Sequence, residues 1–382
     1  MKPFARRMDN IVPSASMAMA QKIVELKKER SIIDMTWGQP DFDTPEYIKA
    51  AAWDAVKSGK NGYTPSPGIP ELRAAIAAFH QKRYGAAYNP QTEILVTPGA
   101  KQGLMYMIQV LIDPGDEVVL FEPCWLSYRD MILFNGGTPR FIPAVKDLQP
   151  DISRLKEAVT PKTKAILINS PVNPTGYVFK KNDLEEIARV AIHHDLYVIA
   201  DEIYDRIVFT EFVSLSELKE LRDRLIIVNG FSKAYAMTGW RIGYLLAPAA
   251  ILTRVRLIHE HTATCASAPS QYAAVAALEG SQETVKAMRS TYHKRRDLFL
   301  AGLQGASFNL VSPEGTFYAM LDVSPLGASA ENNADTLLEK FGIASINGIS
   351  YGPSASRFVR LSLTQNQEQL ALAVKRLKSI GA

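Results

Sequence analysis

Lys233 stands in the stretch "FSKAYAMTGWRIGY" (231–244), one amine among small and aromatic residues, with Arg241 eight positions on. It closely follows the apolar run "LIIVN" (225–229), which reads as a strand. A lysine taken alone is most often a solvated surface residue. An amine at a strand end can also form an imine with an aldehyde, and then it needs particular neighbours.

Other strand ends offer those neighbours. Asn169 ends "KAILIN" (164–169) and the turn "SPVNPTG" follows it, and Asp201 follows "LYVIA" (196–200). Asn229 ends 225–229, and Ser232 and Lys233 follow it. Gly99, Ala100 and Lys101 follow "EILVT" (93–97) and open the helical pattern "KQGLMYMIQVL". An amine, a carboxylate, an amide and a helix N-terminus thus converge on one crevice, where open α/β sheets bind ligands.

Pyridoxal phosphate wants this set. Its phosphate suits backbone N–H groups at a helix start together with a cation. Its pyridine nitrogen stays protonated opposite a carboxylate, which lets the ring act as an electron sink. The Gly99–Lys101 amides, Ser232 and Arg241 are the phosphate candidates, and Asp201 is the partner of the pyridine nitrogen. Asn173 and Tyr204 are candidates for the ring oxygen, and Trp125 for the ring face. Singly, each has a plainer reading. Asp201 could cap a helix, "NPTG" is a good turn, and Arg241 could form a surface ion pair. Those readings do not explain why the residues gather at strand ends.

The elements that must position them follow from periodicity. The runs named above, with "EVVLF" (117–121), "TPRFI" (138–142) and "IGYLL" (242–246), make seven short strands separated by helical segments such as 181–195. Near-continuous apolar strands alternating with helices predict an α/β fold, a mostly parallel seven-stranded sheet sandwiched by helices. From about residue 290 the pattern changes to a long helix, the strands "TFYAMLDV" and "RFVRLSL", and a final helix, a small α+β domain. The expected division is an arm over 1–45 that joins the small domain, a large cofactor-binding domain over 46–285 and a small domain over 286–382.

Composition narrows the function classes. The 43 basic and 39 acidic residues are interspersed, which leaves no electrostatic footprint for nucleic acid. Two cysteines and six scattered histidines show neither a disulfide framework nor zinc-ligand spacing, so no metal is expected. Cys124 reads as a buried small residue. No apolar run is long enough to cross a membrane, and the N-terminus lacks a signal-peptide core, so a cytoplasmic location is expected.

"SKAYAMTGWRIGY" strongly resembles the Schiff-base motif of the class I/II aminotransferases, the fold-type I pyridoxal-phosphate enzymes. "TWGQPDFDTP" (36–45), "GYTPSPGIPELRAAIA" (62–77), "INSPVNPTG" (168–176), "ADEIYDRI" (200–207), "EGTFYAMLDVS" (314–324) and "RFVRLSL" (357–363) resemble further family motifs in matching order. The nearest likeness is to the bacterial aspartate-aminotransferase-like branch. The resemblance implies that Lys233, Asp201 and Tyr204 are catalytic, with Lys233 carrying the cofactor as an imine. It implies that Arg360 clamps the substrate carboxylate with Asn173 and the backbone of Gly38. It implies that Tyr63 reaches the phosphate of a partner subunit, hence a homodimer with shared active sites. The substrates would be an L-amino acid and a 2-oxo acid, turned over by ping-pong kinetics.

Within the resembling branch, Lys101 and Ser16 stand where a substrate's distal group approaches, and a lysine there suits a dicarboxylic substrate. Two features depart from the pattern. "INGISYGPSASRF" carries Asn347 where Pro is frequent, and it offers Arg357 as a competing guanidinium. "RLIHEHTATCAS" places His259, Glu260 and His261 in a segment expected to border the site. The alternatives on the same scaffold are a pyridoxal-phosphate lyase or an amino-acid oxidase, and beyond them a non-catalytic cofactor-sensing module.

Overall fold

The computed structural model of the chain describes residues 4–9, 11, 15–28 and 30–379. The chain enters through α1 (Ala15–Leu26) and the two-residue strand β1 (Ile33–Asp34). Helices α2 (Glu46–Lys57) and α3 (Pro70–Tyr84) precede β2 (Ile94–Thr97). Then come α4 (Ala100–Leu111), β3 (Glu117–Phe121), α5 (Ser127–Phe134), β4 (Thr138–Ile142), α6 (Leu155–Ala158), β5 (Thr163–Asn169), α7 (Lys181–His193) and β6 (Tyr197–Asp201). Strands β7 (Leu225–Gly230) and β8 (Gly243–Leu246) lead to α8 (Ala249–Thr262), α9 (Ala268–Glu279) and α10 (Glu283–Gly302). The chain ends with β9 (Asn309–Val311), β10 (Tyr318–Asp322), α11 (Asn333–Phe341), β11 (Ile343–Ala344), β12 (Ile346–Asn347), β13 (Phe358–Ser362) and α12 (Gln367–Lys378).

All seven apolar runs become strands of one sheet, in the order β2-β8-β7-β6-β5-β3-β4. Only β8 runs against its neighbours. The strands inside the β4 edge are apolar on both sides because the sheet has a core on each face, while edge strand β4 exposes Thr138 and Arg140. Ile166, Ile168, Val198 and Ile227 point into the core under α3, α7 and α9. Ala165, Leu167, Ile199 and Ile226 point into the core under α4, α5 and α8. Helix α7 buries Leu184, Ile187, Ala188 and Ala191, a stripe at helical spacing, while Asp183 accepts the Lys180 backbone N–H at its start.

A separate core holds the four-stranded antiparallel sheet β12-β13-β10-β9. Strand β1 pairs in parallel with β11, so the chain's beginning joins this second core. Arg360 lies on β13, opposite Met320 and Ile346, so it has a strand on either side. Helix α10 begins earlier than its sequence pattern suggests and passes through both cores, with Val285 and Met288 in the first and Phe299 in the second. Its Arg295 grips both oxygens of Asp41 at 2.8 and 2.7 Å, which fastens the segment carrying Gly38.

Candidate active site

The sheet's geometry brings the strand-end residues together. Asn169, the last residue of β5, donates from Nδ2 to the Asp201 carbonyl at 2.8 Å and accepts the Asn173 backbone N–H at 2.8 Å. One amide therefore aligns the β6 terminus with the turn that carries Asn173. Asp201 is buried, and its Oδ2 accepts the Tyr128 hydroxyl at 2.7 Å while Oδ1 accepts the Ile203 N–H at 3.2 Å. Burial pushes this carboxyl up to about 6, against the lowering effect of those donors and of Lys233. Tyr204 donates its hydroxyl to Tyr318 at 3.2 Å.

Lys233 Nζ donates to the Gly38 carbonyl at 2.5 Å. Burial, then the nearby Arg360 guanidinium, lower its amine to about 8, with Asp201 opposing. About a tenth of the amine is therefore uncharged at pH 7, far more than for an ordinary lysine, and the uncharged form is the one that attacks an aldehyde.

Helix α4 starts at Ala100 without a side-chain cap, so its first N–H groups are free to meet an anion. Gly99 precedes it at φ +85°, and a Cβ there would come within 2.5 Å of Arg241 Nη2. On the neighbouring strand, a Cβ at Gly243 would lie 2.4 Å from the Ala100 nitrogen. Glycine at both positions leaves the helix start and the guanidinium facing one space. Arg241 itself adopts a left-handed backbone at φ +50° and donates to the Thr238 carbonyl at 3.0 Å. Strain of this kind persists where the surroundings fix it, as functional loops do.

Arg360 is 4% exposed. Its Nη1 donates to Asn173 Oδ1 at 3.2 Å and its Nη2 to the Thr36 carbonyl at 2.8 Å, while Nε has no partner. The guanidinium carbon lies 4.2 Å from the centre of the Tyr318 ring. Among the described ion pairs none involves Arg360. A buried cation with neutral partners and a spare N–H is a receptor for an anion.

These residues line one cavity of about 480 Å³. It contains Gly38, Ala100, Lys101, Trp125, Asn173, Asp201, Tyr204, Ser232, Lys233, Arg241 and Arg360, as the sequence reading expects. Gly99 backs the cavity through Arg241 rather than lining it. Tyr63 does not line its own chain's cavity, and its side chain is 91% exposed. The Ser16 side chain lies outside the described residues.

Two expectations are corrected. Arg357 is no competitor, because it pairs with Asp322 at 3.1 Å away from the cavity. The 259–261 segment does not line its own chain's cavity. His259 is fully buried between α4 and α8, and Glu260 pairs with Arg256 on the surface. The sequence reading missed Tyr128, the hydroxyl donor to Asp201, although it stands three residues after Trp125, in the first turn of α5, with its N–H on the Trp125 carbonyl at 3.0 Å. It also missed the lining side chains of Trp37, Gln39 and Tyr318.

Among the described residues the cavity carries four cationic side chains, Lys101, Lys233, Arg241 and Arg360, and one carboxylate, Asp201. It fits a flat cofactor with a phosphate at the α4 terminus and a ring nitrogen at Asp201, with positive charge left for a carboxylate substrate. Fold and site define a pyridoxal-phosphate enzyme of fold type I.

Comparison with known proteins narrows the class. The family model for aminotransferase class I and II matches residues 30–377. The chain is 38% identical to the aspartate/prephenate aminotransferase of Thermus thermophilus, over 100% of this chain and 99% of that one. It is 36% identical to the aspartate aminotransferase of Pyrococcus abyssi, over 98% and 97% of the two chains. The solved aspartate aminotransferase from Thermus thermophilus with maleate superposes with a TM-score of 0.95 at 37% identity, covering all of both chains. The chain belongs to the class I and II aminotransferase family. It is a pyridoxal-phosphate-dependent transaminase that moves an amino group from an amino acid to a 2-oxo acid, and the lyase, oxidase and sensor readings are not favoured. No helix among the described residues is long and apolar enough to cross a membrane.

Proposed function

We propose that this transaminase takes an acidic L-amino acid, aspartate or glutamate, as its amino donor. The observation that carries this is Lys101. Its ammonium lies in the cavity, 4.7 Å from the centre of the Trp125 ring, with no ion-pair partner among the described residues. Arg360 takes one carboxylate, and Lys101 remains for a second. The relatives named for aspartate, and the neighbour that holds maleate, support the same choice.

In this reading the residues divide the work. Asp201 pairs with the ring nitrogen, steadied by Tyr128, and Asn173 and Tyr204 bind the ring oxygen. Ser232, Arg241 and the amides of 99–101 hold the phosphate, and Trp125 covers the ring. Pyridoxal phosphate, when bound, supplies an aldehyde that captures amines and a ring that accepts the electron pair left at Cα. Arg360, with Asn173 and Gly38, orients the substrate so that its Cα proton faces Lys233. Lys233 Nζ then takes that proton, a task suited to an amine lowered to about 8. We also take residues 46–285 as the large domain and 286–382 with the 1–45 arm as the small one, since two separate cores support that division. Exposed Tyr63 supports a homodimer in which each chain completes its neighbour's phosphate site.

A donor panel tests the substrate assignment. Lys101→Met should lower kcat/KM for aspartate and glutamate about 10- to 100-fold, the worth of one charge-assisted hydrogen bond, and leave alanine unchanged. If alanine or phenylalanine outruns both acidic donors in the unsubstituted enzyme, the assignment fails.

A further inference from the structure

The segment that presents Tyr63 is held from three directions. Gln271 on α9 donates to Thr64 Oγ1 at 2.9 Å and accepts the Ile69 N–H at 2.8 Å. Val96 on β2 donates to the Pro67 carbonyl at 3.0 Å. Between them, His259 Nε2 lies 3.0 Å from the Ser66 carbonyl. A carbonyl only accepts, so Nε2 carries the hydrogen and Nδ1 is left as an acceptor. Nδ1 faces the Tyr106 hydroxyl at 3.3 Å, and the two rings meet edge to face with centroids 5.5 Å apart. Burial lowers the pKa of this imidazole, so it stays neutral at pH 7.

Tyr106 belongs to α4, the helix whose free N-terminus opens into the cavity. Thr262 Oγ1 lies 2.8 Å from the Tyr106 hydroxyl and 2.7 Å from the Ile258 carbonyl, so the single Tyr106 hydrogen is given to Nδ1 when Thr262 donates to Tyr106 instead of Ile258. The chain of contacts therefore runs from the anion-binding helix through Tyr106 and His259 to the Ser66 backbone, three residues past Tyr63. What His259 adds is one polar link between a helix and a loop that serve phosphate sites.

We infer that His259 is a positioning residue, tying the 62–69 loop to α4 and so setting the Tyr63 hydroxyl for the phosphate held by the neighbouring subunit. This rests on the shared-site reading given above.

The test uses full-length apoprotein and two probes, pyridoxal phosphate and phosphate-free pyridoxal, with dissociation constants read by absorbance titration. His259→Leu should weaken pyridoxal phosphate about tenfold and leave pyridoxal within about twofold, because only the phosphate meets Tyr63. His259→Gln, whose amide N–H can still reach the Ser66 carbonyl, should stay within about threefold of the unsubstituted protein. Adding His259→Leu to Tyr63→Phe should cause no further loss. Equal loss for both probes, or independent losses in the double variant, overturns the inference and leaves the shared site standing. If Tyr63→Phe itself leaves pyridoxal phosphate binding unchanged, the shared site falls and this inference with it. Should His259→Leu not fold, Tyr106→Phe, which removes the hydroxyl facing Nδ1, is read by the same criteria.

Discussion

Replacing Arg360 with methionine separates a ligand receptor from a structural strut. The guanidinium is buried, bonded only to Asn173 Oδ1 and the Thr36 carbonyl, and its Nε is unpartnered. A substrate carboxylate would gain two charge-assisted hydrogen bonds there, each worth about 1.5–3 kcal/mol. Arg360→Met should therefore lower kcat/KM by about 10²–10⁴-fold, at about 1.4 kcal/mol per decade. The apoprotein should not lose much stability, because a buried cation without a counter-charge is itself costly and its removal offsets the lost hydrogen bonds. Thermal unfolding of the enzyme with and without maleate completes the assay. Saturating dicarboxylate at a hundred times its Kd should stabilise the unsubstituted enzyme by about 2.7 kcal/mol, and that gain should vanish in the variant. A kcat/KM loss below tenfold, or a fall in Tm of the same size with and without maleate, would refute the receptor assignment.

Two further outcomes follow from the buried titrating groups. Reductive methylation of the apoprotein, followed by mass spectrometry, should label Lys233 with a midpoint near pH 8, and that midpoint should rise in Arg360→Met because the guanidinium helps to hold the amine down. An unfolded lysine titrates near 10.5, so the folded apoprotein binds fewer protons between about 8 and 10.5 and this group adds stability as pH rises through that window. Asp201 runs the other way. Its folded value of about 6 exceeds 3.8, so its contribution is fully present below 3.8 and declines as pH rises through 6. Tyr128→Phe removes a lowering hydrogen bond and should extend that decline to higher pH in urea unfolding of the apoprotein; an unmoved profile would show that Tyr128 does not hold the carboxylate.

The large sheet was legible because its strands are apolar on both faces, a pattern that leaves few alternatives to a covered parallel sheet. Lys233, Asp201 and Asn173 were legible because each ends such a strand or follows it within one turn. Tyr128 was not, since its reach to Asp201 depends on how α5 approaches the sheet. His259 was misread from its charged neighbours. The better signal was spacing, because Ile251, Val255 and His259 recur every four residues along the buried stripe of α8. The early start of α10 was hidden by its charged outer face, which breaks the apolar rhythm without breaking the helix.

The two glycines at the phosphate end bear on how such an enzyme can diversify. A side chain at Gly243 would strike the Ala100 nitrogen, and one at Gly99 would strike Arg241 from a left-handed backbone. Neither position tolerates a gradual change of size, so single substitutions have no downhill route that remodels the floor of the cavity. The rim has no such lock. Trp37 is half-exposed and held by one hydrogen bond, from Nε1 to Asp34 at 2.9 Å, and Lys101 has no ion pair among the described residues, so either can be exchanged with little rebuilding. Drift in substrate preference is therefore channelled toward the rim, while the cofactor's seat is inherited intact.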